Sequence, residues 1–202
     1  MRYILLLGFG LLLLAGCSDD DTPTNPAPNP DLRHALNMEI GTKWVRKSIS
    51  RDIDMVMVHY DSVEVTGTED VHGETWYRLE NEFGYTYYYI LRDDGLWSAS
   101  DTDKMPYQLY KFPVSPGESY TLERPGSEPL TVNVIDTAAT VAVHAGEFLC
   151  HKYYVDCPGC GKGDTVYFSI GTGEVLVRDE STYESSYRRE LYRYLGGSRE
   201  SE

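Results

Sequence analysis

The chain reads as an all-β protein, an antiparallel sandwich or partly closed barrel, and three observations say so. Apolar and polar residues alternate with period two over most of the chain beyond residue 38. Tyrosine is abundant, 17 in 202 residues, and with the β-branched residues it suits pleated sheets that keep one wet face. Glycine- and aspartate-bearing turns punctuate the alternating runs at hairpin spacing.

Taken in order, "DLRHALNM" (Asp31–Met38) is the one stretch with helical character, one or two turns with Asp31 as N-cap. "MVMVHYDSVEVTGT" (Met55–Thr68) reads as a long strand, and "ETWYRLENE" (Glu74–Glu82) pairs with it across a turn at His72-Gly73. "YTYYYILRDDGLWSAS" (Tyr85–Ser100) is a hairpin turning at Asp93-Asp94-Gly95. "LTVNVIDTAATVAVHAGEFLCHKYYVDC" gives further strands, broken at Asp136-Thr137 and Ala145-Gly146, and "TVYFSIGTGEVLVRDES" is a hairpin around Thr172-Gly173. In the tail, Tyr183, Tyr187, Leu191 and Leu195 recur at helical spacing, but "RRELYRYL" (Arg188–Leu195) also works as a closing strand, and the all-β context favours the strand.

The chain also repeats. "MEIGTKWV" matches "VSPGESYT", with Gly41 and Gly117 each three residues before an aromatic, Trp44 or Tyr120. "VHGETWYRLE" matches "VHAGEFLCHKYY", and "YYILRDDGLW" loosely matches "YFSIGTGEVL". The offsets Gly41–Gly117, Gly73–Gly146 and Gly95–Gly173 are 76, 73 and 78. Near-constant offsets point to two duplicated β-meanders, over residues 38–100 and 114–180, joined by "DTDKMPYQLYKF". The competing explanation is that antiparallel sheets reuse such turns anyway.

The first thirty residues carry an address. One charge, Arg2, precedes the apolar run Ile4–Leu14, which at ~1.5 Å per residue is too short to cross a ~30 Å hydrocarbon core and reads as an export signal. Leu14-Ala15-Gly16-Cys17 resembles the lipobox of bacterial lipoproteins. That resemblance implies cleavage after residue 16, acylation of Cys17, and permanent attachment to a membrane by two or more chains. "SDDD" (Ser18–Asp21) resembles the acidic stretch that Bacteroidota place after the lipidated cysteine of surface-exposed lipoproteins, which implies an outer-membrane location and an outward-facing domain. Thr22–Pro30 holds four of the ten prolines and reads as an extended spacer, which from Ser18 reaches roughly 40 Å. The expected organisation is a signal peptide at 1–16, a lipidated tether at 17–31, one β domain at 32–197 and a tail at 198–202. The phrases G-x-x-W, V-x-G-x-x-x-Y and V-x-A-G-x-F-x-C further resemble uncharacterised tyrosine-rich bacterial lipoproteins, a likeness that implies fold and location but no activity.

Without its first 16 residues the chain keeps 17 Lys+Arg against 32 Asp+Glu, a net charge of −15. Such a surface repels nucleic acid, so no nucleic-acid partner is expected. Lipidation of Cys17 would leave Cys150, Cys157 and Cys160. "CPGC" resembles half a zinc knuckle, but tetrahedral zinc needs two more ligands. Cys150 lies ~23 Å back along a straight strand and on its other face. A thioredoxin-like role would want a helix N-terminus, where a strand leads in here. Pro158-Gly159 fits a type II turn that brings Cys157 and Cys160 into disulfide range, leaving Cys150 a buried free thiol.

His72 and His144 sit beside turn glycines at matching places in the repeat, which needs no metal to explain it. No G-x-S-x-G, H-E-x-x-H, P-loop or calcium-loop pattern occurs, so no catalytic residue, metal site or cofactor is expected. In "YTYYYIL", period two sends Tyr85, Tyr87, Tyr89 and Leu91 to one face and Thr86, Tyr88 and Ile90 to the other. Either both faces are covered, or Tyr87, Tyr88, Tyr89 and Trp97 offer an aromatic platform to a glycan or envelope protein. The expected function is non-catalytic binding or assembly at the outer membrane. A lipid- or lipoprotein-handling carrier with an apolar cavity is the alternative, and a glycan-active enzyme comes third.

Overall fold

The structure is a computed structural model that describes residues 36, 38–52, 54–100, 105–157, 162–179 and 186–196. The expected signal peptide, tether and tail lie outside the described residues, and so do Cys17 and Cys160. The described residues form twelve antiparallel strands and no helix: β1 (Lys43–Asp52), β2 (Met55–Val71), β3 (Glu74–Asn81), β4 (Thr86–Arg92), β5 (Gly95–Ser100), β6 (Tyr107–Lys111), β7 (Ser119–Leu122), β8 (Leu130–Val143), β9 (Gly146–Cys157), β10 (Lys162–Ser169), β11 (Gly173–Asp179) and β12 (Ser186–Leu195). The closing strand expected at Arg188–Leu195 is β12.

All twelve belong to one sheet, in the order β6-β5-β4-β3-β2-β1-β12-β11-β10-β9-β8-β7. Each half is a six-stranded meander, and the halves join where β1 pairs with β12. The two edge strands, β6 and β7, are neighbours in sequence, so the sheet has curled until its ends approach. No ladder joins them; tyrosine hydroxyls span the seam. Tyr120 on β7 accepts from the Lys111 N–H (3.3 Å) and donates to the Leu109 carbonyl (3.2 Å). Tyr153 on β9 donates to the Lys111 carbonyl (2.8 Å). The fold is thus the partly closed barrel, and its exposed-edge problem is met with side chains.

Local chemistry explains the turns. His72 (φ 54°) and Gly73 (φ 82°) form a two-residue loop with both centres left-handed, the twist that antiparallel strands need. Asp70 Oδ1 accepts the Gly73 N–H (3.0 Å). Between β3 and β4, Asn81 Oδ1 accepts from the Phe83 and Tyr85 N–H groups (3.0 and 2.9 Å).

The repeat has matching landmarks in both halves. Gly41 and Gly117 have φ 90° and 89°, and each donates its N–H to a buried valine carbonyl, Val65 or Val134, at 2.8 Å. Those valines donate back to Thr42 and Glu118. One residue later each strand bulges, between Val65 and Gly67 in β2 and between Val134 and Asp136 in β8. Trp44 faces Val63, and Tyr120 faces Val132, the same step in register.

Three details differ from the sequence reading. The break expected at Asp136-Thr137 is a pair of bulges inside a continuous β8, because Asp136 Oδ1 accepts the Ala138 N–H (2.9 Å) and holds the local kink without ending the ladder. The joining segment contains a strand, β6, whose apolar residues were too few to show a period. Of the expected helical turn Asp31–Met38, only Leu36 and Met38 are described, and Leu36 bridges to Gly171 instead. Both side chains are buried in the barrel core.

That core lines the barrel interior and draws on both halves, with Val63, Val65, Leu79, Leu96, Tyr110, Val132, Tyr153 and Phe168 among its members. The outer face carries two smaller clusters, one around Trp76 and Tyr88 and one around Val141 and Cys150.

Candidate functional site

The barrel interior is not filled. A cavity of about 290 Å³ opens among strands of both halves. Its apolar wall is built by Trp44, Val63, Leu79, Leu96, Leu109 and Phe168, and its polar side by Arg46, Tyr89, Tyr107, Tyr110, Glu174 and Arg189. Arg124, exposed on the segment between β7 and β8, also reaches it.

Strand alternation puts the charges inside. Trp44, Arg46 and Ser48 share one face of β1, and Tyr187 and Arg189 share the facing side of β12, where Ser48 and Tyr187 hydroxyls meet at 3.2 Å. Arg46 grips Asp61 through Nε (2.7 Å) and Nη2 (2.5 Å) to Oδ1. Glu174 sits beside the irregularity in β10–β11 pairing, where Phe168 faces it. Its two oxygens are both engaged: Oε1 accepts from the Tyr110 hydroxyl and Oε2 from Arg189 Nη2, each at 2.5 Å. Trp44 Nε1 donates to the Thr172 carbonyl at 2.5 Å, which fixes the indole as cavity wall.

The electrostatics follow from burial against pairing. For Glu174 burial would raise the carboxyl pKa, but the Arg189 charge, the Tyr110 hydroxyl and Arg46 together hold it below the ordinary range. The same contact raises Arg189, and Tyr110 is pushed well up by burial and by Glu174. Tyr89 is pushed up chiefly by burial, then by Glu174. One polar atom of this lining is buried without a hydrogen-bond partner among the described residues, the Arg189 Nε.

Chemically, the cavity sets an apolar, aromatic wall against a charged and hydroxyl-bearing side. Its titratable lining is arginine, tyrosine and one glutamate, whose two oxygens accept from Tyr110 and Arg189.

The aromatic strand divides as period two demands. Tyr87 and Tyr89 line the cavity. Tyr88 lies on the other face, 3% exposed, packed with Trp76 and Ala99, its hydroxyl donating to Glu69 Oε2 at 2.9 Å. Trp97 joins that outer cluster, with the Arg92 guanidinium 4.5 Å from its ring centre and Nε1 donating to Asp94. The four aromatics named from the sequence therefore do not share one surface. Cys157 ends β9, and Cys150 is the free cysteine of the described residues, buried with its thiol pushed up to about 11 by desolvation. Among the described residues no three His, Cys, Asp or Glu side chains converge on a metal-sized point.

A second surface stands out. Met55, Val56, Met57, Val58 and Tyr60 at the start of β2 are each at least 45% exposed, and β2 pairs with β3 only from Val63 onward. Sequence reasoning saw that strand but not its open edge. It also missed Arg46, Glu174 and Arg189; the signal available was a charged residue in phase with an aromatic one, as in Trp44-x-Arg46 and Tyr187-x-Arg189.

Fold and cavity together define a single-sheet β barrel with a charged, aromatic-walled interior. No family model matches the chain. No curated protein matches it either. Solved structures do: a crystal structure from Bacteroides fragilis, described as that of a candidate exported protein with a YmcC-like fold, aligns with a TM-score of 0.49 at 13% identity over 78% of this chain and 96% of that one. A candidate lipoprotein from Parabacteroides distasonis aligns with a TM-score of 0.49 at 12% identity over 79% and 97%.

Proposed function

We propose that the chain is a lipid-anchored, non-catalytic binding protein of the bacterial outer membrane, held by Cys17 on its proline-rich tether and taking a small ligand into the barrel cavity. The observation that carries the reading is the cavity itself, about 290 Å³ with apolar and aromatic walls and a few convergent polar groups, the make-up of small-molecule sites. The lipobox and acidic stretch supply the location. The carrier alternative is less well matched, because an acyl chain laid against Arg46, Glu174 and Arg189 would strip water from charges and return nothing. A disulfide between Cys157 and Cys160 belongs to the same proposal.

Two measurements test it. Cells fed a palmitate analogue should label the protein at Cys17, and Cys17→Ala should lose both label and membrane fractionation; retention of both ends the anchoring claim. Native mass spectrometry of protein extracted from its own membranes should show a bound small molecule that is lost in Ser98→Leu, which narrows the cavity. A ligand retained in that variant would place binding elsewhere, and turnover of the bound molecule would make the protein an enzyme.

A further inference from the structure

The cavity's charge is opposite to that of the protein around it. The whole chain carries −14, yet the cavity lining holds three guanidinium groups, Arg46, Arg124 and Arg189, against one carboxylate, Glu174. Asp61 pairs with Arg46 and Glu174 with Arg189, and exposed Arg124 adds a third guanidinium that faces the Asp164 carboxyl at a distance. Arg46 and Arg189 keep 23% and 27% of their side chains exposed although both line the barrel interior. Tyr89 lines the cavity with them, near enough to feel both guanidinium charges, and the Arg189 Nε is buried without a hydrogen-bond partner among the described residues. An unsatisfied buried donor is costly, and a ligand that accepts from it recovers that cost. The guanidinium groups offer donors only and both Glu174 oxygens already accept a hydrogen bond, so donors prevail among the charged groups of the lining.

We propose, resting on the reading of the cavity as a binding site, that its ligand is a small organic carboxylate with an aromatic or branched apolar body. The carboxylate accepts from Arg189, Arg46 and the Tyr89 hydroxyl, and the body lies against Trp44, Leu96 and Phe168. A cation is rejected by the guanidinium groups. A neutral alcohol loses the charge-assisted hydrogen bonds, which are about twice as strong as neutral ones. Exposed Arg124 stands where an anion enters and offsets the repulsion of an otherwise acidic surface.

Three probes with one body and different heads test this: phenylacetate, 2-phenylethanol and 2-phenylethylamine, titrated calorimetrically into the detergent-solubilised full chain with detergent blanks. Phenylacetate should bind roughly tenfold or more tightly than the alcohol, and the amine should give no heat. Arg189→Gln strands Glu174 and risks the fold, so the primary variant is Tyr89→Phe, which keeps the packing. It should weaken phenylacetate several-fold and leave the alcohol unchanged. Equal affinities for acid and alcohol, or an unchanged acid affinity in Tyr89→Phe, overturn the carboxylate assignment while the binding reading survives. No heat from any probe up to about 10 mM overturns both.

Discussion

Tyr153→Phe removes one oxygen from the interior and nothing else, and it tests how the barrel closes. The hydroxyl donates to the Lys111 carbonyl at 2.8 Å from a side chain with no exposed area. Its loss forfeits one hydrogen bond and leaves a carbonyl of an edge strand without a donor, together about 1–2 kcal/mol. For a protein of this size that corresponds to roughly 2–8 °C in Tm. Tyr120→Phe removes two longer bonds, at 3.3 and 3.2 Å, from a half-buried ring, and should cost about 1 kcal/mol. Both hydroxyls meet β6 at Lys111, so the double variant should depart from additivity by about 0.5 kcal/mol or more. Denaturant titration gives the energies. Amide hydrogen exchange locates them: the Lys111 N–H should exchange faster in Tyr120→Phe, because its acceptor is gone, while amides of β1 and β12 at the far side of the sheet should not change. Wild-type stability in Tyr153→Phe, with unchanged exchange along β6 in both variants, would show that the seam holds without its tyrosines.

Tyr88→Ala, at a 3% exposed site, should cost about 3 kcal/mol or more, whereas Tyr87→Ala, at 37% exposure, should stay near 1 kcal/mol; equal losses by thermal melting would contradict the division of faces. Glu174 has its pKa depressed in the fold, so its contribution to stability is complete above the unfolded value of about 4.3 and vanishes as pH falls through the lower folded value. Glu174→Gln should therefore flatten the acid limb of a stability–pH curve below about pH 5, and an acid limb as steep as wild type would remove that carboxyl from the account. Intact mass after alkylation at pH 8 should show no native labelling, since Cys150 is buried with its thiol raised to about 11, and one added label after unfolding without reductant if Cys157 and Cys160 are paired.

Much of the barrel was legible from local pattern. Alternation located Met55–Thr68 and Glu74–Glu82, and turn chemistry at His72-Gly73 and Thr172-Gly173 marked hairpins, because side-chain period and positive φ are properties of neighbouring residues. Glycine offsets marked landmarks that recur at equivalent hydrogen bonds at Gly41 and Gly117. Tertiary structure alone decided the rest. Whether two meanders stack as a sandwich or run on as one sheet depends on β1 meeting β12 across more than a hundred residues, and no local spacing encodes that pairing. The short β6 becomes a strand because β5 offers it a ladder and two tyrosines from the other half hold its free edge. The cavity is of the same kind: Arg46, Glu174 and Arg189 each look like ordinary wet-face charges in their own strands, and only the curl of the sheet turns that face inward and makes them a site.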